Sequence, residues 1–179
     1  MIRKGDQIEN RRTGQKMIFL QTGKETNGGL LEIECYSPPT DAREPEHIHP
    51  IQENIFKIIS GEVSFSINGN VQKYLPGEEI SIIPGVPHHF WNSGTSVAHY
   101  LQEFRPALNI DQLFQTFFAL ARDGKLSKSG APNIFRTALI MQEHEKELRV
   151  IKPSWGVQKL IFTLFAPIGR VLGFKKYYV

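Results

Sequence analysis

The sequence predicts a mainly β domain, a sandwich or barrel of short strands, followed by an α-helical extension of about three helices. Two observations carry this expectation. From Gln15 to about Phe104 the apolar residues come in short runs broken by turn-forming residues, as in GQKMIFLQTG, NIFKIISG, EVSFSINGN, EEISIIPG and SVAHYLQEF, which is the spacing of strands in an all-β domain. After Pro106 the apolar period lengthens to that of a helix. The chain therefore divides into a β unit, residues 1–106, and a helical extension, residues 107–179.

Within EVSFSI, Val63, Phe65 and Ile67 alternate with Ser64 and Ser66, giving a strand with one apolar face. Asn68-Gly69 follows, a dipeptide that accepts positive φ cheaply and closes a tight hairpin. Pro76-Gly77, Pro84-Gly85 and Asn92-Ser93-Gly94 punctuate the later strands. In the extension, Asp111 can cap a helix whose face carries Leu113, Phe114, Phe117, Phe118 and Ala121, with Gly124 as its stop. A second helix is expected from near Pro132 to Leu148. Pro153 opens a third, with Leu160, Ile161, Leu164, Phe165, Ile168, Val171 and Leu172 along one stripe and Pro167 as a kink.

With 179 residues, 40% hydrophobic and 22% charged, the composition is that of a folded globular protein. The net charge of +3 is uneven: after Glu147 there is no acidic residue, while Arg149, Lys152, Lys159, Arg170, Lys175 and Lys176 are all basic. The rest of the chain is mildly acidic, so nucleic-acid binding finds no support. The last helix is too interrupted to span a membrane, because Lys159 and Arg170 leave only about ten uncharged residues between them against the roughly twenty a span requires. Its apolar stripe is expected to pack on the barrel or across a dimer interface. The alternative is contact of the basic, aromatic-rich tail with an anionic membrane surface. The single cysteine, Cys35, cannot form an internal disulfide and reads as a small core residue. The N-terminal residues lack the apolar core of a signal peptide, so the expected setting is reducing and cytoplasmic.

The candidate chemistry lies between His47 and Asn92. Alternate side chains of a strand share a face, so His47 and His49 point the same way, and His88 on a later strand can join them in a closed barrel. Three neutral imidazoles with open positions beside them make a transition-metal site.

These residues resemble the cupin superfamily of small β-barrel proteins. Its first motif, a glycine, five residues, H-x-H, three or four residues, a glutamate, about six residues and a glycine, is matched by His47, His49 and Gly61. Its second, a glycine, five residues, P-x-G, two residues, a histidine, three residues and an asparagine, is matched by Gly77, Gly85, His88 and Asn92. The resemblance covers roughly residues 30 to 105. It implies a double-stranded β-helix jelly roll, often a homodimer, with a divalent metal such as zinc, iron, manganese or nickel held by the matched histidines and a carboxylate. This chain departs from the pattern at Asp41 and Ile83, and above all at Asn54, which stands in the carboxylate position with Glu53 one residue earlier. A one-residue displacement turns a strand side chain to the opposite face unless a bulge intervenes. Either Asn54 or Glu53 then completes the metal shell, or the barrel holds no metal and its histidines serve as hydrogen-bonding groups for a ligand.

Parity extends the site. If Asn54 points inward, so do Phe56 and Ile58, and Phe90 follows from His88; Phe65, Ile67, Ile80 and Ile82 are further candidate walls. Such a cavity suits a small organic molecule with an apolar body and a metal-seeking oxygen. His99 is a candidate general base facing the same cavity, His89 an exterior residue, and His144 in MQEHEKELR a solvated one. Two classes of function follow: a metal-dependent enzyme such as an oxygenase or isomerase, or a metal-free binding barrel whose helical tail serves dimerisation, a partner or a membrane surface.

Overall fold

The computed structural model describes residues 2–179. It has two antiparallel sheets and three helices, in the order β1 (Gln7–Glu9), β2 (Lys16–Gln21), β3 (Leu31–Ser37), β4 (His47–Ile48), β5 (Glu53–Ser60), β6 (Val63–Ile67), β7 (Asn70–Tyr74), β8 (Glu79–Ile82), β9 (His88–Asn92), β10 (Ala98–Arg105), α1 (Ile110–Arg122), α2 (Ile134–Glu143), β11 (Arg149–Val150) and α3 (Trp155–Val171). One sheet runs β1-β2-β3-β10-β5-β8 and the other β11-β4-β9-β6-β7. Their inner faces enclose one apolar core that includes Phe19, Ile33, Phe56, Ile58, Phe65, Tyr100 and Phe104, as in a two-sheet jelly roll.

Strand alternation is visible along β10, where Ala98, Tyr100, Gln102 and Phe104 are buried and His99, Leu101 and Glu103 are less so. β6 differs from expectation because Ser64 and Ser66 are buried as well. It is an inner strand, paired on one side with β7 and on the other with β9, where Trp91 and His89 stand opposite these two serines. Gly61 turns the chain between β5 and β6 at φ 76°, and a Cβ there would come within 2.8 Å of the Ala98 Cα, so the second glycine of the first motif is fixed by close approach as well as by φ.

The extension departs from the expected boundaries. α1 starts after Asn109 rather than at Asp111. α2 is capped by the Asn133 side chain, which accepts from the Arg136 N–H at 3.0 Å, and it ends at Glu143. The next four residues turn the chain so that β11 pairs with β4, with Val150 opposite His47 and Arg149 opposite Ile48. The extension thus adds a strand to the barrel beside the H-x-H segment. His144, expected in solvent, is fully buried at this turn, edge-on to Tyr177 at 5.9 Å.

α3 is also rotated relative to expectation. It packs on α2 through Phe162, Ala166 and Gly169, and a Cβ at Gly169 would lie 3.1 Å from the Phe135 carbonyl oxygen and 3.1 Å from Leu139 Cδ1. Small residues at the crossing let the two helices approach closely. The aliphatic residues Leu160, Leu164, Ile168 and Val171 face outward instead. Pro167 lies inside the helix.

Candidate metal centre

His47 and His49 flank Ile48, and His88 stands directly opposite His47 in the β4–β9 pair. Strand pairing thus brings together residues 41 positions apart in sequence. Ring centroids are 5.1 Å apart for His47–His49, 4.6 Å for His47–His88 and 5.2 Å for His49–His88. One ligand nitrogen from each lies within 4.8 Å of the others. The three residues are 3%, 4% and 1% exposed, in that order.

The tautomers are set by main-chain acceptors. Nδ1 of His47 lies 3.0 Å from the Pro45 carbonyl oxygen, that of His49 2.6 Å from Glu147 O, and that of His88 2.9 Å from Val86 O. A carbonyl oxygen only accepts, so each Nδ1 carries the proton and each Nε2 keeps its lone pair for the interior. Nε2 of His88 is buried and has no hydrogen-bond partner, an arrangement that is unfavourable unless something else engages it. The donor set, its tautomers and this orphaned nitrogen fit a divalent transition metal, with main-chain carbonyls as the outer supports usual for metal-bound histidine.

Desolvation is the largest influence on all three imidazoles and favours their neutral forms. His47 and His88 are each pushed down to about 4, and His49 well below the ordinary value. The neighbouring histidines add to the effect, while the Glu44 carboxylate acts against it at His88. Neutral imidazoles at physiological pH are ready to coordinate without first losing a proton. They also make the metal-free fold acid-sensitive. Between about pH 6.5 and 4 the unfolded chain binds protons that the folded one refuses, so stability falls as pH falls, by up to about 1.4 kcal/mol per pH unit for each such histidine. Thermal melts of chelator-treated protein are expected to show a clear fall in Tm from about pH 7 to about pH 5; a flat profile would mean that the folded imidazoles already accept protons.

Asn54 lies beside the cluster and is 1% exposed. Its Nδ2 is 3.5 Å from His49 Nε2, its Oδ1 accepts from Gln102 Nε2 at 3.2 Å, and Gln102 Oε1 is 3.9 Å from the Cys35 thiol. The neutral side chain is therefore held by a buried amide ladder. Glu53 points to the opposite face, as simple alternation requires with no bulge to reverse it, and accepts from Ser81 Oγ. It does not reach the histidines. His99 is likewise on the outer face, 2.8 Å from Glu34 Oε1 and stacked on Tyr36 at 4.4 Å, because inward Tyr100 follows it along β10. It faces no interior cavity.

Phe56, Ile58, Phe65, Ile80 and Ile82 are buried, with Ile67 and Phe90 partly so. The aromatic members fill the barrel against one another: Phe56 lies 4.8 Å from Phe65, 4.9 Å from Phe90 and 5.8 Å from Tyr100. This is barrel core in place of the open apolar cavity expected from parity. A surface cleft of about 390 Å³ opens elsewhere, between Pro39–Arg43 and Trp91–Gly94. His89 is stacked on Trp91 at 5.4 Å, on the face opposite His88.

Two supporting residues escaped the sequence reading. Gln102 holds Asn54, and its place among buried apolar residues of β10 was an available signal. Glu147 supplies the carbonyl for His49, and its side chain accepts from the Asn109 N–H at 3.1 Å, tying α1 to the same turn. No local pattern marks a main-chain acceptor ninety-eight residues away.

The cupin domain family matches residues 34–102. Among curated relatives, the HTH-type transcriptional regulator PuuR of Escherichia coli (strain K12) is 26% identical over 106 residues, 59% of this chain and 56% of the regulator. An oxidoreductase of Arthrobotrys oligospora is 25% identical over 149 residues, 75% of this chain and 57% of that protein. The chain spans little more than half the length of these relatives. Among solved structures, a protein from Thermotoga maritima described as a predicted oxalate decarboxylase superposes with a TM-score of 0.51 at 21% identity, covering 59% of this chain and 98% of that one; at this identity the likeness concerns the fold. The two antiparallel sheets, the paired histidine motifs and the family match over residues 34–102 agree on a barrel of the cupin type within this chain.

Proposed function

We propose that this protein is a metal-dependent cupin acting on a small organic molecule, with a divalent transition metal held by Nε2 of His47, His49 and His88. The observation that carries the reading is the triple tautomer lock, which aims three lone pairs at one buried point and leaves His88 Nε2 without any protein partner. A metal bound there supplies Lewis acidity or oxygen activation. The chain's own residues do the rest. Main-chain carbonyls orient the imidazoles, Gln102 fixes Asn54 beside them, and Phe104, edge-on to His49 at 5.2 Å, excludes water from that side. The oxidoreductase relative is consistent with an enzyme.

The second reading is a metal-free binding barrel. It is favoured by the Asn54 amide, whose N–H faces His49 Nε2 where an enzyme of this design would place a negative oxygen, and the regulator among the relatives is consistent with it. Elemental analysis of protein purified without a histidine tag separates the two. About one divalent transition metal per chain is the expected result. Metal-free protein that releases an organic molecule on denaturation, identified by mass spectrometry, would establish the second reading instead.

A further inference from the structure

α3 presents its apolar stripe to solvent. Val157, Leu160, Leu164, Ile168, Val171 and Leu172 are all exposed, with Leu160 at 60%, Leu164 at 56% and Val171 at 88%. At 100° per residue these six fall on one side of the helix, opposite Phe162, Ala166 and Gly169, which pack on α2. The stripe extends over roughly 22 Å of helix at 1.5 Å per residue. A continuous apolar face of this size, left in water by a helix that already has a packed side, marks an interaction surface.

The charge around the stripe selects its partner. Lys152 precedes the N-terminus of α3 and Lys175 follows its C-terminus, bracketing the stripe, while Lys159 and Arg170 lie together on the side of the helix away from it, and all are exposed. After Glu147 the chain contains no carboxylate side chain to balance them. Among the described residues, of these basic groups and their neighbours Arg149 and Lys176, only Lys176 is ion-paired, with Glu143. Arg170 instead reaches the neutral Gln142, and Lys159 lies over the Trp155 ring at 5.3 Å. A second copy packed face to face through α3 would set one unbalanced basic segment against another. An anionic lipid surface offers apolar depth for the stripe and negative headgroups for Lys152 and Lys175 at its two ends, with the remaining basic side chains adding long-range attraction.

We infer that α3 is an interfacial helix that docks this protein on anionic membranes, lying in the plane of the surface. No helix of the described chain is long and apolar enough to cross a membrane, which agrees with surface attachment through one face. The inference stands independently of what the barrel binds.

Cosedimentation of the full chain with phosphatidylcholine vesicles, with and without about 30% phosphatidylserine, tests it. The expected result is partitioning at least about tenfold stronger with phosphatidylserine, and at least about tenfold weaker for the double variant Leu164→Ser, Ile168→Ser. Because both side chains are exposed, the variant should keep the wild-type circular dichroism and Tm. No binding to the anionic vesicles, equal binding to the two vesicle types, or equal binding by wild type and variant would overturn the inference. So would a dimeric mass by light scattering that becomes monomeric in the variant, since the face would then belong to a second copy.

Discussion

Replacing His88 with alanine is expected to remove the metal from the protein, reducing its content from about one ion per chain to less than about a tenth of that. His88 is the imidazole whose Nε2 has no alternative partner in the folded chain; with it gone, His47 on β4 and His49 just past its end remain as a two-nitrogen site, which does not close a coordination shell. The thermal readout follows from mass action. A ligand that binds only the folded state at a thousand times its Kd stabilises it by about 4 kcal/mol, so chelation of the wild type should lower Tm by roughly 8 to 16 °C for a protein of this size. The variant should melt at the same temperature with and without chelator. Retention of stoichiometric metal by His88→Ala would place the ion elsewhere and end the proposed role of the three histidines.

The second large effect is expected at Asn54. Substituting Asn54→Glu restores a carboxylate at a position 1% exposed, beside His49 and the Gln102 amide. Without metal this charge is desolvated and the extra methylene must be fitted, so the chelated variant should be destabilised by about 2 kcal/mol or more. With metal the same charge becomes an anionic ligand, and affinity should rise on the order of tenfold or more, since affinity at such sites follows the number of charged ligands. The two effects have opposite signs: Tm falls in chelator, while the gain on adding metal exceeds that of the wild type. A variant that loses stability equally in both conditions would show that residue 54 does not approach the ion.

Much of the barrel was legible because its information is local. Period-two alternation, Asn68-Gly69 and the glycine-proline turns fixed the strands, and the same alternation correctly assigned His47, His49 and Asn54 to one interior and His89 to the exterior. It also contained the means to exclude Glu53, one residue out of phase, and His99, next to inward Tyr100. The walls expected for a cavity were identified as interior residues, but parity says only which way a side chain points. Whether inward rings surround a void or fill it depends on distances between strands, and here Phe56, Phe65, Phe90 and Tyr100 close on one another.

The extension was read less well, for a physical reason. A helix period identifies an apolar stripe without saying what lies against it. In α3 the packed face combines the aromatic residues Phe162 and Phe165 with Ala166 and Gly169, and at Gly169 the close crossing over Phe135 and Leu139 leaves no room for a side chain. The aliphatic residues Leu160, Leu164, Ile168 and Val171 are left on the outside. His144 was misread likewise: its charged neighbours suggest a solvated surface, yet it caps α2 at the turn into β11 and is covered by the C-terminal residues.

By itself the sequence determined most of the strands, the resemblance to the cupin barrel and the inward direction of the three histidines, since each depends on residue type and spacing within a few positions. Only the tertiary structure decided the state of those histidines and the direction of α3. The tautomer of His49 depends on a carbonyl ninety-eight residues downstream, and the outward face of α3 depends on how closely α2 approaches it; both are distances between segments that spacing along the chain does not encode.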